Sequence, residues 1–320
     1  LGLRPAEHSV AFERDLRATM PDGVTLLADR FAPRAPGRYP TILVRTPYGR
    51  PSEAGLYGPL GALPYTLFAE RGYNVVVQGT RGRFRSGGEF EPFVNEAADG
   101  RATLEWMAGQ PWFEGNLGMW GPSYLGYTQW AVAADAPPFL KAIVPVVTAA
   151  RFSRPFYPGD GFAFESSLRW ASIVRATHRP GANLDATSLW AIVSPQRQAA
   201  LAAVLNTAAL PDADTRATGA PVAFYQRWLA DGGPDSAYWR TVDHHRSLGR
   251  VEVPTHLVAG WYDIFLHEQL ADYAAMLAAG RTPFLTVLPR HHNDPALITD
   301  AVREGLWWFD AHLKGHTQAM

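Results

Sequence analysis

Ser123, Asp263 and the adjacent pair His291 and His292 occur in that order along the chain, and together they are the residue types of nucleophilic catalysis. A serine hydroxyl is a weak nucleophile until a base takes its proton, and an imidazole base needs an acid beside it to fix its tautomer and stabilise its cation. Residues 116–126, Asn-Leu-Gly-Met-Trp-Gly-Pro-Ser-Tyr-Leu-Gly, read as a short buried strand that turns through a serine into a helix, the layout of a nucleophile elbow. Such a turn strains the serine backbone and requires small neighbours, here Gly121 and Gly126. It also aims the first amides of the following helix at any oxyanion formed there. The spacing departs from G-x-S-x-G, because Leu125 takes the second position after Ser123 and the glycine comes one later. Taken singly, each residue has an ordinary reading: a strand-turn-helix corner, a helix cap, a solvated loop histidine. The ordered conjunction, with each residue just past an apolar run, is what points to chemistry.

The elements that must position these residues alternate. Residues 10–20 and 24–31 read as two strands joined at Asp22-Gly23, and Thr41–Val44 as a buried strand. A helix at 64–71 is ended by Gly72, and the β-branched run Tyr73–Val77 is the next strand. A helix at 96–109, a strand at 117–120, a helix at 124–134 and a strand at 140–147 follow. From about 149 to 247 the pattern turns helical, aromatic and proline-punctuated, which reads as an inserted cap. Strands at 255–259 and 284–288, a helix at 266–279 and a last helix through Trp307 and Phe309 complete the pattern. The fold class is α/β, a doubly wound, mostly parallel sheet.

The composition bounds the function. The 320 residues suffice for one large domain with an insertion, and a net charge of −1 leaves no electrostatic footprint for nucleic acid or an anionic membrane surface. The absence of cysteine removes disulfides, zinc-thiolate sites and cysteine nucleophiles, and no run reaches the ~20 apolar residues of a membrane span. With no signal peptide legible, a cytoplasmic location is the expectation for a sequence that starts at Leu1 rather than Met. A homodimer stays open. Aromatic residues make up 12%, including 11 Trp; most serve a large core, and any excess suits a pocket for an apolar substrate.

Gly121-Pro-Ser-Tyr-Leu-Gly126, with tyrosine directly after the serine, resembles the G-x-S-Y-x-G signature of X-Pro dipeptidyl-peptidase and cocaine-esterase-like serine hydrolases, the CocE/NonD group. Met20–Ala28, Arg45-Thr-Pro-Tyr-Gly49, Thr80–Gly88, Asn95–Trp106 with Gln110-Pro-Trp112, and Gly260-Trp-Tyr-Asp263 agree with it. The resemblance implies an α/β hydrolase: core residues 1–148 and 248–320, a helical cap at 149–247, and a catalytic triad of Ser123, Asp263 and a histidine. The family's G-P-W-x-H run falls on Leu288–His292 and selects His292 over His291, with only Pro289 and His292 of the run kept. A T-P-Y tyrosine, Tyr48, and the amide of Tyr124 would form the oxyanion hole. Members of the family carry a C-terminal jelly-roll domain, which this chain, ending at Met320, is expected to lack.

The implied activity is hydrolysis of a small-molecule ester or amide through an acyl-enzyme, with no metal or organic cofactor. The family's amino-ester branch keeps acidic residues two and three positions past the triad aspartate. Phe265 and Leu266 stand there instead, which favours an uncharged acyl group, with Phe265, Phe156 and Trp170 as pocket candidates. Asp160 and Glu165 keep the dipeptidyl-peptidase alternative open, since a free amino terminus needs a carboxylate. A catalytically inactive binding protein of the same fold is the third reading.

Overall fold

The computed structural model describes residues 2–53, 61–177 and 194–316. Eight strands form one sheet: β1 (Val10–Thr19), β2 (Thr25–Pro33), β3 (Tyr39–Thr46), β4 (Asn74–Gly79), β5 (Phe113–Pro122), β6 (Leu140–Val146), β7 (His256–Gly260) and β8 (Phe284–Leu288). Their order is β1-β2-β4-β3-β5-β6-β7-β8. β1 and β2 form an antiparallel hairpin, β2 runs antiparallel to β4, and every other pair is parallel. The C-terminal ends of β5, β7 and β8 therefore face one edge of the sheet, where open α/β sheets bind ligands.

The strands are apolar because helices cover both faces. Along β4 every residue is buried, as a parallel strand between two helical layers must be. On one face Ile42, Val44, Val75 and Val77 join a cluster with Phe68 of helix α1 (Leu63–Ala69). On the other, Leu43, Val76 and Met119 pack with Leu104 and Met107 of α2 (Glu96–Ala108) and Trp130 of α3 (Tyr124–Ala133). β3 and β5 begin earlier than their apolar runs, since the ladder pair Tyr39↔Phe113 extends pairing into polar sequence such as Glu114 and Asn116.

Between β6 and β7 the described residues form α4 (Ser153–Phe156), α5 (Phe164–Thr177), α6 (Pro195–Thr207), α7 (Ala213–Thr218), α8 (Ala223–Asp231) and α9 (Ala237–Thr241), with short 3₁₀ turns and no strand. Residues 178–193 of the expected cap lie outside the described residues. Both ends of this segment are fixed at one point. The fully buried Asp272, on α10 (Leu266–Ala278), accepts the Ala150 amide at 2.7 Å and meets His245 Nδ1 at 2.7 Å. The His244 amide donates to the Ala150 carbonyl at 3.0 Å.

The last helix, α11 (Pro295–Lys314), starts at an Asp294 cap and covers β5 closely. No helix among the described residues is long and apolar enough to cross a membrane. A Cβ added at Gly118 would lie 2.5 Å from a ring carbon of Phe309 and 3.1 Å from Leu313, so α11 reaches β5 only over a bare glycine. Gly118→Ala is expected to lower unfolding stability by about 1–3 kcal/mol through overpacking, read as a shifted urea midpoint at unchanged slope. A midpoint equal to the parent's would show that the helix yields without cost.

Candidate active site

Ser123 sits between β5 and α3 with φ 57° and ψ −124°, a conformation that L-residues adopt only under constraint. Its neighbours supply that constraint. Gly121 has φ 152°, and a Cβ there would stand 2.5 Å from Leu125 Cβ; a Cβ on Gly126 would stand 2.5 Å from Thr148 Cγ2. The Ser123 amide donates to the Val146 carbonyl at 2.9 Å, and its own carbonyl accepts from Thr148 Oγ1 at 2.7 Å and from the Gly126 amide at 2.9 Å. Gly126, one position later than in the common pattern, is where the helix meets the end of β6. The Tyr124 amide is the first of α3 and has no acceptor within its own helix.

The turn after β7 and the turn after β8 are zipped together. The Trp261 amide donates to Leu288 O at 2.7 Å and the Tyr262 amide to Arg290 O at 3.0 Å. Gly260 permits this approach, because a Cβ there would lie 2.7 Å from the Arg290 carbonyl oxygen. The result is that His292 Nδ1 meets Asp263 Oδ2 at 2.8 Å, while Asp263 Oδ1 accepts the Phe265 amide at 2.8 Å. Asp263 is buried, and its contact to Nδ1 leaves Nε2 as the nitrogen open to a reacting proton. His291 is exposed, and its ring accepts only the Asn293 amide, at 3.3 Å. His292 and Asp263 are thus paired, while the Ser123 hydroxyl makes no hydrogen bond among the described residues.

Tyr48 lies in the turn after β3, buried, with its amide on Thr46 Oγ1 at 3.1 Å and its hydroxyl accepting from Trp170 Nε1 at 2.9 Å. Arg50 anchors that turn: fully buried, it pairs with Asp29, with Glu53 at 2.7 Å and with Asp15 at 2.9 Å. Burial would lower its pKa, and Glu53 and Asp29 reverse this and hold it above the ordinary guanidinium value. Arg83 holds the same turn from the other side, with Nε on the Pro47 carbonyl at 2.7 Å.

The Tyr124 side chain is pinned in turn. Its hydroxyl donates to Glu96 Oε1 at 2.9 Å and accepts the Phe93 amide at 2.8 Å, and Arg45 Nη1 lies 2.6 Å from the other Glu96 oxygen. Burial pushes the Tyr124 hydroxyl well above its ordinary pKa, and the neighbouring Glu96 adds to it, so it remains a neutral donor.

Phe265 packs against His292, ring centroids 5.4 Å apart, and against Phe152 at 4.8 Å. Phe156 and Trp170 lie in the same aromatic cluster, with centroids 6.3 Å apart. Phe156 and Phe265 belong to one buried apolar cluster that also holds Phe93, Phe152, Phe224 and Trp228, and Trp170 packs against it. The only signal for those four further rings in the sequence is the aromatic excess. Asp160 and Glu165 stay outside the cluster, exposed, with Asp160 3.5 Å from Arg154 and Glu165 2.8 Å from Arg169.

The sequence and the fold find relatives. A family model described as X-Pro dipeptidyl-peptidase (S15 family) matches residues 22–294. The cocaine esterase of Rhodococcus sp. (strain MB1 Bresler) is 32% identical in an alignment of 324 positions that covers 94% of this chain and 55% of that protein. Among solved structures, an α-amino acid ester hydrolase is similar with TM-score 0.74 and 20% identity over 98% of this chain and 55% of that one. A CocE/NonD family hydrolase from Staphylococcus aureus follows with TM-score 0.69 and 21% identity over 96% and 51%. These two likenesses establish the mostly parallel α/β-hydrolase fold, and the chain spans about half the length of the relatives it matches. On the extent of the family match and the identity to the esterase, the chain belongs to the X-Pro dipeptidyl-peptidase (S15) family, the CocE/NonD-type hydrolases.

Proposed function

We propose that this chain is the catalytic part of a serine hydrolase that cleaves esters through an acyl-enzyme, with Ser123, His292 and Asp263 as its triad. The observation that carries the reading is the 2.8 Å contact of His292 Nδ1 with Asp263, on two interlocked turns at the sheet edge that also carries the strained serine. Ser123 Oγ attacks the carbonyl carbon while His292 Nε2 takes its proton, and Asp263 stabilises the imidazolium. The oxyanion is met by the Tyr124 amide and the Tyr48 hydroxyl. Nε2 then protonates the departing alcohol, and a water, deprotonated by the same nitrogen, releases the acid. Every proton in this scheme moves between groups of the chain, the substrate and water. Residues 149–247 serve as the cap.

A neutral, aromatic or short acyl group suits the site, because Phe265 lines it beside His292 and burying an unpaired ammonium there would cost several kcal/mol. That the 32% identical relative is named an esterase supports the same choice. The family description favours a second reading, cleavage of dipeptides from a free amino terminus. It needs an acid at the site, and Asp160 and Glu165 are exposed and matched with arginines.

Ser123→Ala is expected to abolish p-nitrophenyl ester turnover and fluorophosphonate labelling without loss of fold; activity within about tenfold of the parent defeats the triad. Asp263→Asn should cost on the order of 10³–10⁴-fold in kcat by turning the imidazole to the wrong tautomer. His292→Ala should be inactive and His291→Ala active, and the reverse would place the base one residue earlier. For specificity, kcat/KM for acetyl or benzoyl esters is expected to exceed that for phenylglycine methyl ester and Gly-Pro-p-nitroanilide. If the anilide is the best substrate, the peptidase reading replaces the esterase one.

A further inference from the structure

We propose that Trp170 is a positioning residue for the oxyanion hole: its indole N–H fixes the Tyr48 hydroxyl and strengthens it as a donor. The inference rests on the assignment of Tyr48 as an oxyanion donor. An indole nitrogen carries one donor and no acceptor, so in the 2.9 Å contact Trp170 gives the hydrogen and the Tyr48 oxygen receives it. A phenol that accepts a hydrogen bond is polarised and donates its own hydrogen more strongly, most of all where water is excluded. Tyr48 is buried.

The indole is locked in place. It stacks on Trp228 at 5.6 Å and 6°, on Phe93 at 6.0 Å and 12°, and on Tyr124 at 6.2 Å and 15°, with Phe224 at 5.0 Å. Rotation of the ring would break this stack, so the direction of its N–H is set by packing. Through Tyr124 the same ring also touches the residue whose amide is the other proposed oxyanion donor. The helix that carries Trp170 is tied to the Tyr48 turn a second time. Arg83 donates to Pro47 O at 2.7 Å on one side, and to Val174 O at 3.2 Å and Thr177 Oγ1 at 2.5 Å at the end of α5 on the other. α5 and the Tyr48 turn are therefore tied at two places, and Trp170 is the tie that reaches the proposed oxyanion donor.

A pocket wall and a positioning residue make different demands. A wall discriminates between acyl groups and acts on KM; a positioning residue acts on kcat by the same factor for every acyl group, and only while Tyr48 has its hydroxyl. The test is a double-mutant cycle of Trp170→Phe and Tyr48→Phe on p-nitrophenyl acetate and benzoate, with thermal melts of each variant. Trp170→Phe is expected to lower kcat roughly threefold to fifteenfold on both esters, the worth of one neutral hydrogen bond, with KM within about twofold. In the Tyr48→Phe background the same change should be nearly silent, within about twofold. An equal loss in both backgrounds, a loss confined to the benzoate, or no loss overturns the inference. If Trp170→Phe does not melt cooperatively, site-specific replacement of Trp170 by benzothienylalanine removes the N–H alone and takes its place in the cycle. Failure of the functional reading looks different: Ser123→Ala stays active, or Tyr48→Phe keeps the parental kcat, and the latter removes this inference as well.

Discussion

The left-handed backbone at Ser123 is the constraint around which the rest of the site is arranged. A non-glycine residue with φ near 57° and ψ near −124° costs on the order of 1–3 kcal/mol, and it persists only where the surroundings allow no other course. Here Leu125 and Thr148 press against the bare Cα atoms of Gly121 and Gly126, and the Ser123 carbonyl is held by Thr148 and by the first turn of α3. The strain is local, but its consequences are not. It sends α3 back across the sheet and puts the Tyr124 ring where Glu96 and Phe93 can clamp it. Phe93 is itself at φ 70°, so a second strained residue secures the first.

Buried charge is the second theme, and it follows the turns rather than the triad. Arg45, Arg50 and Arg83 are almost fully buried, which for a guanidinium is costly unless partners replace water. Arg50 has three carboxylates and Arg45 has Glu96, but no carboxylate pairs with Arg83 among the described residues. Burial takes Arg83 down to about 10, still charged near neutrality, and its hydrogens go to two carbonyls and a hydroxyl while it lies 5.0 Å over the Phe90 ring. Placed behind Pro47, one residue from Tyr48, it has the sign that the proposed oxyanion requires. The desolvation that destabilises the cation also strengthens its field.

Local chemistry made much of the fold legible in the sequence. The β-branched run before Gly79, the glycine after α1 and the serine between two glycines each encode their conformation within a few residues, and β4, α1 and the elbow lie where they were expected. Non-local features were not legible. β5 begins at Phe113 because Tyr39 pairs with it across the ladder, and nothing in Glu114 or Asn116 announces a strand. That His292 rather than His291 meets Asp263 follows from the carbonyls of residues 288 and 290 accepting amides from the β7 turn. The aromatic cluster assembles rings from positions 93, 152, 170, 224 and 228, remote in sequence and recognisable beforehand only as an excess of aromatic residues.

That cluster also shows how sheet and inserted helices divide the work. The groups proposed to do chemistry sit on turns at strand ends, where hydrogen bonds to the backbone fix them to the most rigid part of the chain. The helices between β6 and β7 contribute no charged group to this cluster; their two acids nearest in sequence are exposed and matched with arginines. They supply rings instead, and rings pack without a single preferred contact, so their number and size can change while Asp272 keeps both ends of the segment in place. Trp170 is the exception, because its one polar atom is spent on Tyr48. A segment that only packs rings is free to vary; one that also holds the Tyr48 hydroxyl, the proposed oxyanion donor, is free only where the ring carrying the N–H stays put.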